Sequence, residues 1–342
     1  MTVVIATGRM TPGAVLHEHA IGLDCYVVTY NGARALTRGG RAGDQHHNPT
    51  RVLLPDRTEV PFDRPIPAAA LAEDDACRAA SAAFLAKTGV PPAVSIGGDV
   101  IFHTPLPLPV SIGLVEWALE RGLPFNLYID DVLYCDRRFK DTVSIQMYGC
   151  LGQVPHVVLD DALHFLRNHP SPSTKVILFT EDLKHSATVA LEASMRKLVR
   201  QIAEAGAGGV PLPDAEVPTV VPAQFFVEAL APGINKGQGL RKLMAVLGAP
   251  DGPLPGTTVD NVVAFGDGEN DLEFLQYAGL SVAMANAHET TAKGATYQSA
   301  FTNREAAVAR ELLALWRAGQ FVVDASLAPA EGSEEELALL SE

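Results

Sequence analysis

Short, unbroken apolar runs alternate along this chain with stretches whose apolar residues recur every three or four positions. Val262-Val263-Ala264-Phe265 is the clearest of the runs. Four consecutive apolar residues, two of them β-branched, predict a strand buried on both faces, as inside a parallel sheet. Gly266 and Gly268 end it, and Asn270-Asp271 offer N-cap chemistry for the apolar positions Leu272, Leu275 and Leu280. Val3–Ala6, Tyr26–Tyr30 and Ser281–Ala283 read as strands of the same type. Together these runs predict one largely parallel sheet. Thr7-Gly8-Arg9 and Asn31-Gly32-Ala33 close two of them as turns, and Pro12–Ala20 predicts a short helix.

Residues 36–94 break the pattern. They are rich in Arg, Gly, Pro and Ala, with an Ala-rich helical patch over Ala68–Lys87, and read as an insertion that carries no motif residue. Order returns near Ile96. A strand at Val100–Phe102, a helix at Val110–Glu120 and two short strands from Phe125 to Cys135 meeting at Asp130-Asp131 come first. A helix near Asp160–Arg167, the strand Val176–Phe179, a long helix from Leu183 to Ala205 and the strand Phe225–Ala229 follow. This mixture predicts a separate α+β domain over 96–229. Gly233 to Leu240 then opens a helix reaching Leu247, and Arg304–Trp316 closes the folded part. The expected division is 1–35 with 230–324 as one domain, 36–95 as insertion, 96–229 as a second domain and 325–342 as a disordered acidic tail.

At 342 residues two domains are the default. The net charge of −14 argues against a nucleic-acid partner, which recruits basic patches. No run of 18 apolar residues predicts a membrane span. Cys25, Cys77, Cys135 and Cys150 lie far apart with no C-x-x-C spacing, so they read as core residues of a reducing, intracellular compartment. His17, His19, His46 and His47 have no third ligand at a useful spacing, which sets zinc aside.

The candidate chemistry sits at strand ends, where open α/β sheets collect ligands. Asp267, Glu269, Asn270 and Asp271 put four oxygen-bearing side chains within five positions beside a helix start. Hard oxygen donors there suit Mg²⁺ carrying a phosphate. The same acids also suit a solvated helix start, and the buried-type strand in front favours the metal. An EF-hand does not fit, since Leu272 and Ala278 stand where its glycine and bidentate glutamate belong. Asn235-Lys236-Gly237 is not a P-loop, because the lysine precedes its glycine. A lysine in the first turn of a helix opposes the macrodipole, a conflict that an anion beside it would remove.

Three segments in this order, Thr7-Gly8-Arg9 with Asn31-Gly32-Ala33, Asn235-Lys236-Gly237, and Gly266-Asp267-Gly268-Glu269-Asn270-Asp271 followed by Ala283-Met284-Ala285-Asn286-Ala287, resemble the haloacid dehalogenase superfamily in its Cof-type phosphatase branch. The resemblance implies an α/β, Rossmann-like core with an inserted α+β cap. It implies phosphate binding by Thr7, Gly8, Lys236 and Asn270, and Mg²⁺ as cofactor on Asp267 with Asp271 supporting the metal or its waters. It implies catalytic parts for Lys236, Asp267 and Asp271, and a small phosphorylated metabolite as substrate. It also implies a first strand ending in Asp-x-Asp-Gly-Thr, central in the sheet and carrying the nucleophile; no such segment occurs here. The chain is therefore expected to be truncated at its N-terminus and inactive as written. A phosphomutase or phosphotransferase of the same fold would need a second phosphate site, for which only Arg137, Arg138 and Lys140 are at hand. A non-catalytic metabolite binder is the reading from a different class.

Overall fold

A computed structural model describes residues 2–11, 13–14, 25–37, 51–53, 59–61, 100–152, 156–180, 185–223 and 225–321. The described residues gather into two compact units, one within Val4–Ile234 and one within Met1–Val3 and Asn235–Glu342.

The first unit opens with β1 (Val3–Ala6), β2 (Cys25–Thr29) and β3 (Arg34–Leu36). A two-stranded antiparallel ladder of β4 (Arg51–Leu53) and β5 (Glu59–Pro61) follows, inside the stretch expected to be a loop. With β6 (Val100–His103), the first three strands form a sheet of order β1-β2-β3-β6. Between β2 and β3 the chain reverses through Tyr30–Gly32, with Asn31 at φ 53°.

Helix α1 (Leu108–Arg121) has Pro109 in its first turn and stops at Gly122, φ 65°, where a left-handed residue ends the helix at low cost. β7 (Phe125–Ile129) and β8 (Val132–Asp136) pair directly across Asp130 and Asp131. Both turn residues have positive φ, 51° and 61°, the two-residue geometry whose twist matches that of a hairpin. There follow α2 (Val143–Gly152), β9 (His156–Leu159), α3 (Ala162–Asn168), β10 (Lys175–Phe179), α4 (His185–Gly206), β11 (Pro218–Pro222) and β12 (Phe226–Pro232). The strands make a sheet of order β11-β12-β10-β7-β8-β9, antiparallel but for β8 with β9. Alternation along the strands sets two faces. Phe125, Leu127, Val176, Leu178, Val227 and Ala229 share one, all fully buried. Asn126, Tyr128, Lys175, Ile177 and Glu228 share the other. α1 and α4 pack together, and Leu191, Met195 and Val199 give α4 its buried stripe at helical spacing.

The second unit is simpler. α5 (Lys236–Leu247), β13 (Val263–Gly266), α6 (Leu272–Tyr277), β14 (Leu280–Ala283), α7 (Glu289–Gly294), β15 (Tyr297–Gln298) and α8 (Ala307–Arg317) follow one another. β13, β14 and β15 are parallel, with Phe265 opposite Val282 and Val282 opposite Tyr297. Leu240 and Met244 of α5 pack with Ala264, Phe274 and Leu275.

The single sheet expected from Val3–Ala6, Tyr26–Tyr30, Val262–Phe265 and Ser281–Ala283 is instead two: β1 and β2 belong to one, β13 and β14 to another. A sheet is continuous only through strand-to-strand hydrogen bonds, and no described strand pairs with both β1 and β13. For the same reason most of 4–35, expected with 230–324, groups with the strands and helices that follow it. α2, β3, β4, β5, β9, β11, α7 and β15 are additions to the elements expected. The helix expected over Pro12–Ala20 lies largely outside the described residues, as do the Ala68–Lys87 patch, His17, His19, His46, His47, Cys77 and the tail 325–342. Cys25 and Cys135 are buried and not joined in a disulfide.

Candidate phosphate and metal site

In the second unit the chemistry gathers at the carboxyl end of β13. Gly266 is its last residue, and a Cβ there would sit 2.7 Å from the Cβ of Asp271. Lacking a side chain, it lets the turn 267–271 fold back on the strand. Asp271 then accepts from the backbone N–H of Asp267 and of Gly268, each at 2.9 Å on Oδ2, while its own N–H returns to the Gly268 carbonyl at 3.0 Å. Its other oxygen, Oδ1, takes the Lys236 ammonium at 2.5 Å. Both side chains of that pair are 8% exposed.

Lys236 reaches this point from the first turn of α5. Asn235 caps the helix, its side chain accepting from the Gln238 N–H at 2.8 Å. Gly237 permits α5 to lie close, since a Cβ there would meet the Glu273 backbone at 2.7 Å. The anion that the position of Lys236 called for is thus the Asp271 carboxylate. An ammonium has three donors and Asp271 takes one.

Asp267 itself is steadied by Asn286 and Asn303, whose side-chain amides donate to Oδ2 at 3.3 and 3.2 Å. Its carbonyl accepts from the His288 N–H at 2.9 Å, and Thr291 donates to the Gly268 carbonyl at 2.8 Å. Asp267 Oδ1 has no hydrogen-bond donor among the described residues. Asn270 is exposed in the same turn. Lys236, Asp267, Asn270 and Asp271 therefore stand together at this end of β13. Asn286 and Asn303 orient Asp267, a part the sequence reading did not give them. Asn286 had a signal, a polar residue just past a buried strand; Asn303, in a distant loop, had none.

Mg²⁺ asks for one or two carboxylates and completes its six oxygens with water and phosphate. Asp267, with one oxygen held and the other open, fits that demand. Asp271 has both oxygens engaged by Lys236 and the turn, so it is fitted to hold the turn and the lysine. Among the described residues no group of three or more His, Cys, Asp or Glu side chains could hold a metal by itself.

In the first unit, Thr7-Gly8-Arg9 leaves β1 as a tight turn. The Arg9 N–H donates to Thr7 Oγ1 at 3.1 Å. The Thr7 N–H reaches the Val28 carbonyl at 2.9 Å, and the N–H groups of Asn31 and Tyr30 reach the carbonyls of Thr7 and Arg9, each at 3.0 Å. Asp130-Asp131 is the turn of the β7–β8 hairpin, and Asp131 is buried there, accepting from Tyr30 Oη at 2.8 Å and pairing with Arg34 at 2.8 Å. Arg137 and Arg138 are paired with Asp160 and Asp136. No described helix is long and apolar enough to cross a membrane.

The sequence model of haloacid dehalogenase-like hydrolases matches residues 94–312. An Escherichia coli protein named 5-amino-6-(5-phospho-D-ribitylamino)uracil phosphatase YbjI is 39% identical over 79 residues, which is 23% of this chain and 26% of that protein. The chloroplastic endoribonuclease YBEY of Arabidopsis thaliana is 32% identical over 155 residues, 44% of this chain and 24% of that protein. The chain thus matches about a quarter of the length of these relatives. A solved haloacid dehalogenase-like hydrolase from Bacteroides thetaiotaomicron superposes with a TM-score of 0.58 at 19% identity, over 91% of this chain and 85% of that one. That likeness shows the fold, an α/β, Rossmann-like core with a cap.

Proposed function

The chain belongs to the haloacid dehalogenase-like hydrolase family, and from that premise we propose that it serves Mg²⁺-dependent hydrolysis of a small phosphorylated metabolite. The observation that carries this reading is the end of β13: Asp271 grips the turn and Lys236 at once, and Asp267 is left oriented with one open oxygen. Phosphoryl transfer needs its equatorial charge neutralised and its groups held in line. Lys236 brings a cation to the phosphate oxygens and Asn270 a side-chain amide; the family resemblance gives phosphate-binding parts to Thr7 and Gly8 as well. Mg²⁺ on Asp267 would neutralise the remaining charge. Asp271 acts through the groups it orients. Residues 96–229, which hold most of the six-stranded sheet of β7–β12, are the cap in this reading.

These groups bind and orient; none of them attacks phosphorus. The 342 residues hold no Asp-x-Asp-Gly-Thr segment. In this reading the residues named bind phosphate and Mg²⁺, and a strand ending in that motif, joined to the chain, would supply the nucleophile. The test is release of inorganic phosphate from a panel of sugar phosphates, nucleotides and the ribitylaminouracil phosphate of the Escherichia coli relative, with and without Mg²⁺. The extended protein should turn over, and Asp267→Asn should weaken Mg²⁺ and cut turnover strongly. Mg²⁺-dependent turnover by the 342-residue chain, abolished by Asp267→Asn, would show that the nucleophile lies elsewhere in it.

A further inference from the structure

The sheet face carrying Lys175 and Glu228 holds charges that the reading above leaves unused. The two residues are 2% and 5% exposed. Glu228 stands opposite Ile177, which puts it diagonal to Lys175, and Lys175 Nζ donates to Glu228 Oε2 at 2.7 Å. Burying two ions costs several kcal/mol each, and apolar residues of like volume commonly serve a fold as well or better. What such a pair touches beyond itself is therefore more telling than its strength.

Here both members reach out of the sheet to one place. Lys175 Nζ donates to the Gly8 carbonyl at 3.2 Å and lies 4.8 Å from the ring centre of Tyr128 and 5.7 Å from that of Tyr30. Glu228 Oε1 accepts from the Asn31 side-chain amide. Asn31 in turn holds the Thr7 carbonyl through its backbone N–H, and Tyr30 holds that of Arg9. Three consecutive carbonyls, of Thr7, Gly8 and Arg9, thus each have a donor, and the middle one is the buried ammonium. The Gly8 N–H has no acceptor among the described residues, and Gly8 is half-buried. Pinned carbonyls beside a free amide make a backbone donor fixed in advance of its ligand, which is what an oxyanion requires.

We propose that the Lys175–Glu228 pair is a positioning clamp, holding the Thr7-Gly8-Arg9 loop through the Gly8 carbonyl and Asn31 in the shape that receives a phosphate. The inference rests on the phosphatase reading for the ligand and on the geometry alone for the clamp. Burial works against the Lys175 ammonium, but the Glu228 carboxylate beside it outweighs this and raises the lysine above its ordinary range.

The test compares the 342-residue chain with Lys175→Met/Glu228→Leu, which removes both charges and leaves the sheet apolar. Hydrogen exchange is followed at the amides of Tyr30 and Asn31, which are bound to the loop, and of Leu178 and Val227 in the strands. Inorganic phosphate affinity is titrated in parallel, with Lys236→Ala as a control on the site itself. The double variant should fold with a denaturation midpoint near or above that of the parent. Its Tyr30 and Asn31 amides should exchange ~10-fold faster or more, with Leu178 and Val227 unchanged, and phosphate should bind ~10-fold more weakly, the loss of about one charge-assisted hydrogen bond. Unaltered exchange at Tyr30 and Asn31 would overturn the clamp. A loosened loop with unaltered phosphate affinity, while Lys236→Ala loses it, would overturn its role in binding. If the parent chain itself binds no phosphate, the phosphatase reading fails, and exchange alone decides the clamp.

Discussion

Replacing Asp271 by Asn probes the end of β13 most directly. The carboxylate faces donors on both sides: the Lys236 ammonium at 2.5 Å on Oδ1, and two backbone N–H groups at 2.9 Å on Oδ2. An asparagine keeps the shape but turns one oxygen into a donor. Either the ammonium or the pair of N–H groups must then face an NH₂. Uncompensating one partner of a buried ion pair costs ~3–5 kcal/mol. Orphaned N–H groups add ~1–3 kcal/mol each where they stay buried. The first figure alone is a large part of the ~5–15 kcal/mol that holds a domain. Lys236→Met is the control, because it removes the cation yet leaves Asp271 with its two N–H donors. Asp271→Asn should be the worse of the two by ~1 kcal/mol or more, about one hydrogen bond. Urea unfolding followed by circular dichroism and extrapolated to water measures both. A loss within ~1 kcal/mol of the parent for Asp271→Asn, or a larger loss for Lys236→Met, would refute the idea that Asp271 holds the turn.

Two further outcomes follow from the first unit. Burial lowers His156 to about 4, below the 6.5 of a free imidazole, and its Nε2 lies 3.0 Å from Asn126 Oδ1. The unfolded chain therefore takes up a proton first as pH falls, so the stability tied to His156 is whole above ~6.5 and drains away toward ~4; a ring that titrates near 6.5 in a histidine NMR series would contradict this. Arg34→Met leaves Asp131 buried without its cation and should cost ~3 kcal/mol or more, against ~1 kcal/mol for Tyr30→Phe, which removes a single hydrogen bond. Equal losses in urea unfolding would mean that the Arg34 contact at 2.8 Å does little.

How far the sequence could be read depended on whether the information was local. The strand Val263–Gly266, its glycine stop and the acidic turn behind it are set within ten residues, and they stand as expected. So does the hairpin at Asp130-Asp131, where two short polar residues tolerate positive φ. The helix Val143–Gly152 escaped notice because its apolar residues carry no clean helical period and two glycines interrupt it. Strand pairing was out of reach, since a buried apolar run does not state which neighbour it will join. Lys175 stands just before the apolar run Val176–Phe179, and nothing local marks it as buried. Its burial depends on Glu228, 53 positions on, and on Gly8, 167 positions back. Asn303 steadies Asp267 across 36 residues of chain and could not be paired with it from spacing.

The sheet edges bear on how this protein behaves in solution. β1 ends one sheet and β13 another, and neither has a second partner among the described residues. Val3-Val4-Ile5-Ala6 and Val263-Ala264-Phe265-Gly266 contain no charged residue and no proline, the two devices that commonly blunt such an edge. A collective device also opposes chain-to-chain pairing: a net charge of −14 makes every copy repel every other. That repulsion is long-ranged only in dilute electrolyte, its reach falling from ~30 Å at 0.01 M salt to ~3 Å at 1 M. Dispersion of the chain is thus an electrostatic property laid over an adhesive backbone, strongest at low salt and weakest where ions or acid quench the charge.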